Sequence, residues 1–347
     1  MRRGWMDWDR REVPEAVLQE RVAQVATACG EQGYDALLIY CGYTRPAQVS
    51  ALTHFVPFWS QGLLAVVPSG KTALIMATTG RTVQWIRSTS RVDDVVPCPE
   101  VGAKAGEWLR EHTSARRIAI ASFDDVPASA LANLRRALPD AVIDPAGDWY
   151  TALDASFGPT PEVNRQAREI AASAMALISA GSNDDANALV AALDQHCRAQ
   201  GAEEVAVYVS PDLSKAAQLS RIEGPMSLGQ YFGVQITLAY KGYWLRTGSS
   251  FIRGHADIVE HPGCADALRA LRAASGRSRD IGELVAAIEQ ASGASVSDWT
   301  LEARRDGLPL SPVGTAGGPR PDTAPATSTL SACLRSGNDT WTIATPL

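Results

Sequence analysis

The sequence predicts an α/β domain over residues 1–157, followed by an α+β domain over residues 158–347. Three observations support this organisation. The chain of 347 residues is longer than one typical domain. Its N-terminal half alternates short apolar runs with amphipathic stretches, which is typical of strands and helices in an α/β layer. Its C-terminal half opens with two long helical patterns and continues with strand-like runs separated by turns.

The N-terminal half begins with a helical pattern over residues 14–33, which ends at Gly33. The run over residues 36–40 (ALLIY) is apolar throughout and predicts a buried strand. The same alternation predicts further strands at 63–67, 73–76, 95–96, 118–121 and 142–144, and helices at 46–52, 81–87, 103–111 and 128–138.

A turn cluster over residues 158–162 (GPTPE) marks the domain junction, because Thr160 can cap a helix whose first turn tolerates Pro161. The C-terminal half is then predicted to contain helices at 162–179, 184–200, 265–274 and 281–291, and strands at 205–209, 233–238, 243–252 and 341–344.

Two local signals refine the C-terminal half. Lys241-Gly242 predicts a two-residue hairpin turn, because glycine reaches positive φ without steric cost. Residues 306–329 are rich in Pro, Gly, Ser and Thr, and this composition predicts a long mobile surface loop.

The amino-acid composition indicates which classes of molecule the protein could bind. The formal charge is -6, with 46% hydrophobic and 20% charged residues, so the chain is globular and has no basic footprint for nucleic acid or anionic membranes. The six cysteines form no C-x-x-C pair, and no apolar run is long enough to span a membrane. We expect a cytoplasmic protein that binds a small molecule or a peptide.

Sharp catalytic signatures do not occur in the sequence. It contains no G-x-x-x-x-G-K-[ST], no G-x-G-x-x-G after a strand, no H-E-x-x-H and no G-x-S-x-G. Phosphate-binding, dinucleotide-binding, zincin and serine-hydrolase functions therefore lose their main support.

Several segments, in order along the chain, resemble the creatinase, prolidase and aminopeptidase P family. Residues 21–33, 33–40 (GYDALLIY) and 51–55 (ALTHF) resemble its N-terminal domain, and the last of these stands where the family often has a Leu-Thr-Gly-Phe-like sequence. The linker helix over 158–181 and the hairpin 240–244 (YKGYW) resemble the start and the metal-bearing hairpin of its catalytic domain. The resemblance implies a creatinase-like N-terminal domain and a pita-bread C-terminal domain.

The hairpin departs from the family at its metal ligands. The family's metallopeptidases hold two divalent metals with two Asp, one His and two Glu, and both Asp lie on this hairpin. Alignment on Gly242-Tyr243 puts Gln235 and Arg246 at the two Asp positions, and Ser249 where the family has Arg. Neither Gln nor Arg supplies an anionic oxygen, and a guanidinium repels a metal ion. Residues 306–312 also carry no His. We therefore expect neither a metal nor another cofactor.

The resemblance still allows chemistry, since creatinase acts without metal, using a His as acid and base and carboxylates that orient its substrate. It implies a homodimer that acts on a small carboxylate-bearing substrate by C–N hydrolysis or elimination, an activity suited to secondary metabolism. The second possibility is a non-catalytic pseudoenzyme that binds a peptide or protein partner. A Xaa-Pro peptidase with other metal ligands is the third.

Arg246 is the central candidate. Strand alternation puts Trp244 and Arg246 on one side, and the resemblance directs that side into a cavity. Arg246 would grip a substrate carboxylate, and Gln235 would orient it by hydrogen bonding. Alternatively, Arg246 points to solvent or pairs with an acid such as Glu223 or Glu260.

His255 is the candidate proton carrier, and His261 is the other imidazole near the hairpin. The alternative is that both are solvent-exposed loop residues, since no motif fixes either one. His196 is expected to be a hydrogen-bonded residue at the core edge. Tyr240, Tyr243 and Trp244 are candidate ligand-binding aromatics, or simply core residues.

In the N-terminal half, Arg45, His54 and Trp59 are candidate ligand-binding residues, because the family's N-terminal domain can reach the partner subunit's site in a dimer. Surface or interdomain packing is the alternative for all three. Trp5 and Trp8 are expected to pack an N-terminal arm on that partner.

Overall fold

The structure is a computed structural model that describes residues 7–42, 46–57, 59–180, 184–255, 257–305, 308–319, 321–325 and 327–347. The chain divides into two compact units. The N-terminal unit runs to Glu162 and includes Arg305–Leu308, and the C-terminal unit comprises Val163–Arg304 and Pro309–Leu347. This division falls inside the first helix after the predicted junction.

The N-terminal unit is an α/β layer. Its helices and strands are α1 Glu15–Glu31, β1 Ala36–Cys41, α2 Ala47–Thr53, β2 Gly62–Val66, β3 Thr72–Met76, α3 Val83–Thr89, β4 Asp94–Pro97, α4 Val101–His112, β5 Arg117–Ala121, α5 Ala128–Ala137, β6 Val142–Pro145 and α6 Asp148–Ser156. Six strands form a mixed sheet in the order β4-β3-β2-β1-β5-β6, in which β1, β5 and β6 run parallel.

Helices cover both faces of this sheet, which is why β1 is apolar at successive positions. Leu37 and Ile39 pack into one core with α1 and α2, whereas Ala36 and Leu38 pack into the other with α4 and α5. The sequence did not predict α6, which packs Tyr150 into the first of these cores.

In the C-terminal unit, helices pack against one antiparallel sheet. Its elements are α7 Pro161–Ala180, α8 Ala186–Ala199, β7 Glu204–Ser210, β8 Tyr231–Tyr240, β9 Tyr243–Arg253, β10 Ile258–Glu260, α9 Pro262–Ser275, α10 Ile281–Ser292, β11 Ser295–Arg305, β12 Leu308–Thr315, β13 Ser328–Ser336 and β14 Asp339–Pro346. The strand order is β12-β11-β13-β14-β9-β8-β7, and β10 pairs with β9.

The predicted loop over 306–329 is wrong for residues 308–315 and 328–329, which lie in strands, whereas the described residues from 316 to 327 form neither a helix nor a strand. Residues 308–315 form β12 at one end of the sheet, and β13 begins at residue 328. Pro309 and Pro312 conceal this strand in the sequence, but an edge strand tolerates proline because one of its sides needs no ladder hydrogen bonds. Asp306 and Gly307 lie outside the described residues.

The hairpin between β8 and β9 has the predicted two-residue turn. Lys241 and Gly242 have φ of 48° and 74°, and Tyr240 pairs with Tyr243 across the turn. The buried carboxylate of Glu203 accepts hydrogen bonds from the backbone N–H of Lys241 at 2.6 Å and of Gly242 at 3.2 Å. This arrangement fixes the register of the two strands that carry the site.

The C-terminal sheet has one apolar and one polar face. Trp299, Leu301, Leu330 and Ile343 pack against α9 and α10. The alternate positions of the same strands are largely polar and form the opposite face, as the two-residue period of a strand requires. Among the described residues, no helix combines the length and the hydropathy needed to cross a bilayer.

Candidate functional site

Arg246 lies on the polar face of the C-terminal sheet and is bound on two sides. Its Nε donates to Thr237 Oγ1 at 2.8 Å, and its Nη1 donates to Glu302 Oε2 in an ion pair. The side chains of Arg246 and Glu302 are 20% and 8% exposed, so the pair is largely shielded from water. Arg246 therefore forms an ion pair within the protein, as one of the alternatives predicted, but its partner is Glu302 rather than Glu223 or Glu260.

Gln235 lies on the same face, two residues before Thr237 on β8. Its Nε2 donates to Ser331 Oγ on β13 at 3.3 Å. Gly248 stands opposite Gln235 on β9, and a Cβ there would lie 3.3 Å from the Gln235 side chain. Because glycine has no side chain, Gly248 leaves space for the buried side chain of Gln235.

Arg246 also lines a cavity of about 250 Å³. Its walls include the polar or aromatic residues Glu204, Tyr208, Arg221, Thr237 and Trp244. Trp244 and Arg246 therefore share a side, as strand alternation predicts. The Arg221 guanidinium lies over the Tyr208 ring, 6.0 Å from its centroid. The cavity thus offers two guanidinium groups, one of them paired with Glu302, one carboxylate from Glu204 and two large aromatic rings. The guanidinium groups can bind an anionic group, and the rings can contact an apolar one.

These residues do not fit a dinuclear metal site. The two positions that the resemblance assigns to aspartate carry an amide and a guanidinium, and the guanidinium is held in place by Glu302. Within the described part of the chain, no group of three or more His, Cys, Asp and Glu side chains is arranged to hold a metal ion. A fixed cation in this position repels a dication rather than binding it.

The structure does not bring His255 to Arg246. His255 is exposed and lies beyond Arg253, the last residue of β9. Arg253 is seven residues from Arg246, a distance of about 23 Å along an extended strand. Its predicted proton transfer together with Arg246 gains no support from this position.

The other two histidines of this unit also lie outside the cavity. His261 precedes α9 and stacks on Trp341 with ring centroids 4.5 Å apart. Its Nδ1 is buried without a hydrogen-bond partner among the described residues, and burial lowers the pKa of its imidazole. His196 contacts Ser173 Oγ at 3.0 Å and Gln200 Nε2 at 2.6 Å, which confirms the predicted hydrogen-bonded role.

Of the three predicted ligand-binding aromatics, only Trp244 lines the cavity. Tyr240 and Tyr243 are paired across the hairpin turn and alternate with the residues of the polar face. Tyr240 is buried, and burial raises the pKa of the Tyr243 hydroxyl. These two tyrosines lie on the opposite side of the hairpin from Trp244 and Arg246, where Tyr240 is buried and Tyr243 is half-buried.

The N-terminal candidates lie in their own unit. His54 follows the last residue of α2 and has a φ of 60°. Its ring is buried, and its Nδ1 lies 3.0 Å from the backbone oxygen of Thr89. The ring stacks on that of Trp8, with 5.6 Å between the two centroids. Trp59 is 61% exposed and stacks on Trp85. Arg45 and Trp5 lie outside the described residues. The predicted ligand contacts of these residues stay predictions.

Sequence reasoning missed Glu302 and Arg221. Glu302 was hidden because residues 295–305 were not assigned to a strand, although Trp299, Leu301 and Ala303 alternate with polar residues there. That alternation would have placed Glu302 on a polar face. Arg221 lies in an irregular segment between β7 and β8 and has no comparable signal.

Solved structures resemble this chain over nearly its whole length. The dipeptidase PepE of Mycobacterium ulcerans matches with a TM-score of 0.62 and 18% identity over 96% of this chain and 93% of that chain. An X-Pro aminopeptidase from Thermotoga maritima matches with a TM-score of 0.66 and 14% identity, covering 94% of this chain and 93% of that one.

A third match is the N-terminal domain of the FACT complex subunit SPT16 from Cicer arietinum, with a TM-score of 0.53 and 11% identity over 95% of this chain and 93% of that chain. The chain has the pita-bread fold of these proteins. This confirms the predicted fold class and, at the level of the fold, the predicted resemblance. Neither a protein-family model nor a curated protein matches the sequence. At sequence identities this low, the similarity establishes the fold of the chain but not its activity.

Proposed function

We propose that this pita-bread protein binds a small carboxylate-bearing molecule, without metal, in the cavity lined by Arg246. The observation that carries the proposal is the Arg246–Glu302 ion pair, which stands on the hairpin where the resemblance implies a metal-binding aspartate. A guanidinium that is positioned by two partners is a preformed site for a carboxylate.

The hydrogen bonds of Arg246 leave room for a ligand. Its Nε and Nη1 are engaged by Thr237 and Glu302, while no described residue accepts a hydrogen bond from its Nη2. A ligand carboxylate would bind Nη2 and the nearby Arg221 guanidinium. Trp244 and Tyr208 would contact the apolar part of the ligand.

Small carboxylates and their amides test this proposal. We expect glycine and L-proline to bind the purified chain in ligand-observed NMR at least tenfold more tightly than glycinamide and L-prolinamide, because the amides lose the charge-assisted hydrogen bonds. Arg246→Ala should abolish this preference, and Arg246→Lys should retain only part of it. Arg253→Ala, at the other end of β9, is the matched control and should leave binding unchanged.

Two results would overturn the proposal. One is equal binding of carboxylates and amides by the natural chain. The other is an unchanged preference in a folded Arg246→Ala variant, with folding monitored by circular dichroism.

Catalysis of C–N hydrolysis or elimination is the second candidate function. His255 is remote from the cavity, but the buried carboxylate of Glu302 touches Arg246 and can accept a proton once a ligand carboxylate competes for the guanidinium. If the natural chain turns over a C–N substrate, Glu302→Gln should lose turnover while still binding the substrate. Unchanged turnover would remove Glu302 from this role.

A non-catalytic role with a peptide or protein partner is the alternative. It is supported by the match to the N-terminal domain of SPT16, which is a subunit of the FACT complex. We also propose a homodimer, by resemblance, in which the exposed face of the Trp59 ring, whose other contacts include stacking on Trp85, would contribute to the contact between subunits. Light scattering of the natural chain and of Trp59→Gln tests this, and a natural chain that is monomeric at all concentrations would contradict it.

We propose a cytoplasmic location because the cysteines form no disulfide bonds. All six lie in the described part of the chain and all are free thiols. Unpaired cysteines are typical of proteins in a reducing compartment. Fractionation of the producing cells is the measurement that checks it.

A further inference from the structure

The edge strand β7 carries unpaired backbone groups beside the cavity of Arg246. β7 is the last strand of the C-terminal sheet, and its ladder of hydrogen bonds is formed with β8 on one side. The outer side of an edge strand presents N–H and C=O groups that the sheet does not use. Another extended chain can pair with such a row by strand addition.

The hydrogen bonds of Val209 identify which residues of β7 face outward. Its backbone N–H and C=O both bond to Ser220 of the same chain, at 2.8 and 3.1 Å, so they point away from β8. Backbone groups alternate between the two sides of an antiparallel strand, and Val205 and Val207 therefore face outward as well. The hydrogen bonds of the described residues include none to Val205 or Val207 on that side.

The cavity of Arg246 extends to this outer edge. Glu204, Val205 and Ala206 line it one after another along β7. Successive side chains of a strand point to opposite faces, so a cavity confined to one face would contact only alternate residues. Contact with three consecutive residues shows that the open space continues from the polar face around the edge of the strand.

Positive charge lies at one end of this open stretch. The exposed Arg221 guanidinium lies over the Tyr208 ring, 6.0 Å from its centroid, and lines the cavity together with Arg246. The carboxylate of Glu204 belongs to the first residue of β7, at the opposite end of the stretch. A negative group is therefore attracted to the end near Tyr208.

We propose that an extended peptide with a free C-terminal carboxylate binds along the outer edge of β7 as an additional strand. Its backbone exchanges hydrogen bonds with Val205 and Val207, and its carboxylate enters the cavity to Arg221 and Arg246. This inference rests on the carboxylate-binding function proposed above and adds the class of ligand. A single amino acid makes the carboxylate contacts but is too short to pair along the strand.

L-Alanine and penta-L-alanine test the ligand class on the full chain. We expect penta-alanine to bind about tenfold or more tightly than alanine in NMR titrations, because it adds backbone hydrogen bonds to the contacts of the carboxylate. Penta-alanine amide should bind about tenfold more weakly than the free acid, since it loses the charge-assisted hydrogen bonds.

Methylation of the peptide backbone tests strand pairing directly. An N-methyl group removes a donor and adds bulk where the N–H of the peptide faces β7, but it lies away from the protein at the next residue. A series of penta-alanines, each with one N-methyl group, should therefore lose affinity about tenfold at alternate positions and keep it at the positions between them.

Variants of Val205 locate the edge. Val205→Pro removes the outward N–H, and an edge strand tolerates proline at such a position. This variant should bind penta-alanine about tenfold more weakly and alanine as tightly as the natural chain does. Val205→Ala shortens the same side chain but keeps the N–H, so it is the matched control and should bind both probes normally. Thermal unfolding identifies the variants that fold, and the N-methyl series decides the proposal without any variant.

The possible outcomes separate this inference from the proposed function. Strand addition is overturned, and the carboxylate site retained, if alanine binds in preference to its amide but penta-alanine binds no more tightly than alanine. An N-methyl series without alternation, or equal penta-alanine binding by folded Val205→Pro and Val205→Ala, also overturns it. Equal binding of acids and amides at both lengths would refute the carboxylate site and this inference together.

A second copy of the chain is the competing occupant of this edge. It would appear in light scattering as a dimer that Val205→Pro dissociates and Val205→Ala does not, with no binding of penta-alanine by the natural chain. That result would overturn the assignment of the edge to a peptide.

Discussion

Arg246 of β9 and Glu302 of β11 form an ion pair on the polar face of the C-terminal sheet, where Thr237 of β8 holds the guanidinium by its Nε. The pair joins strands that lie far apart in the sequence. Since both groups are largely buried, loss of either one leaves the other as an uncompensated charge.

Removal of Arg246 should therefore destabilise the protein. We expect Arg246→Ala to lower the free energy of unfolding by about 3 kcal/mol, measured by urea denaturation. Arg246→Met combined with Glu302→Leu should recover much of that loss, because no buried charge remains. A double variant that is less stable than Arg246→Ala would contradict this account of the pair.

Chelation should leave the stability of the chain unchanged. The Gln235 and Arg246 side chains supply no anionic ligand, so dialysis against EDTA should not shift the unfolding temperature, and added Mn²⁺, Co²⁺ or Zn²⁺ should not raise it. Calorimetry measures both. About two equivalents of metal retained per purified chain, with a lower unfolding temperature after their removal, would revive the metallopeptidase possibility.

The hairpin turn should depend on Gly242. Its φ of 74° lies in the left-handed region, so Gly242→Ala should cost about 1 kcal/mol in the free energy of unfolding. Gly317→Ala is the matched control, because a Cβ there meets nothing within 4 Å. Equal stabilities of the two variants in denaturant titrations would show that the turn does not set the register of β8 and β9.

Burial of His261 should make stability depend on pH. Burial lowers the pKa of its imidazole from the usual 6.5, so the unfolded chain binds this proton more strongly than the folded chain. The stability from the neutral ring is complete above pH 6.5 and declines as the pH falls through the lower pKa of the folded state.

Denaturant titrations between pH 7.5 and pH 5 check this expectation. His261→Phe keeps a ring that can stack on Trp341 but cannot take up a proton, so its stability should fall less steeply than that of the natural chain. His255→Asn changes an exposed imidazole and should follow the natural chain. Parallel curves for the natural chain and His261→Phe would refute the role of burial.

The sequence predicted the N-terminal unit closely because its signals are local. Apolar runs such as residues 36–40 are buried on both faces, and their helices have a clear period. The helix α6 was missed, since Pro145 and Gly147 stand just before it and mark a turn in the sequence. The hairpin over β8 and β9 was predicted correctly because Lys241-Gly242 is a specific turn signal.

The second half of the C-terminal sheet was harder to predict. Pairing between β11, β13 and β14 is decided by contacts between distant segments, and the prolines of residues 308–315 obscured β12. This affected the candidate site directly. Gln235, Trp244 and Arg246 were placed on one side by strand alternation, but the partner of Arg246 could not be named without β11.

The cysteines provide a built-in position for a fluorescent reporter. Burial raises the pKa of five thiols, among them Cys29 to about 12 and Cys197 and Cys264 to about 11, which suppresses their reaction with a maleimide. Cys333 alone is partly accessible, and it lies two residues from Ser331 on the polar face. A dye attached there to the unaltered chain would sense molecules entering beside Gln235.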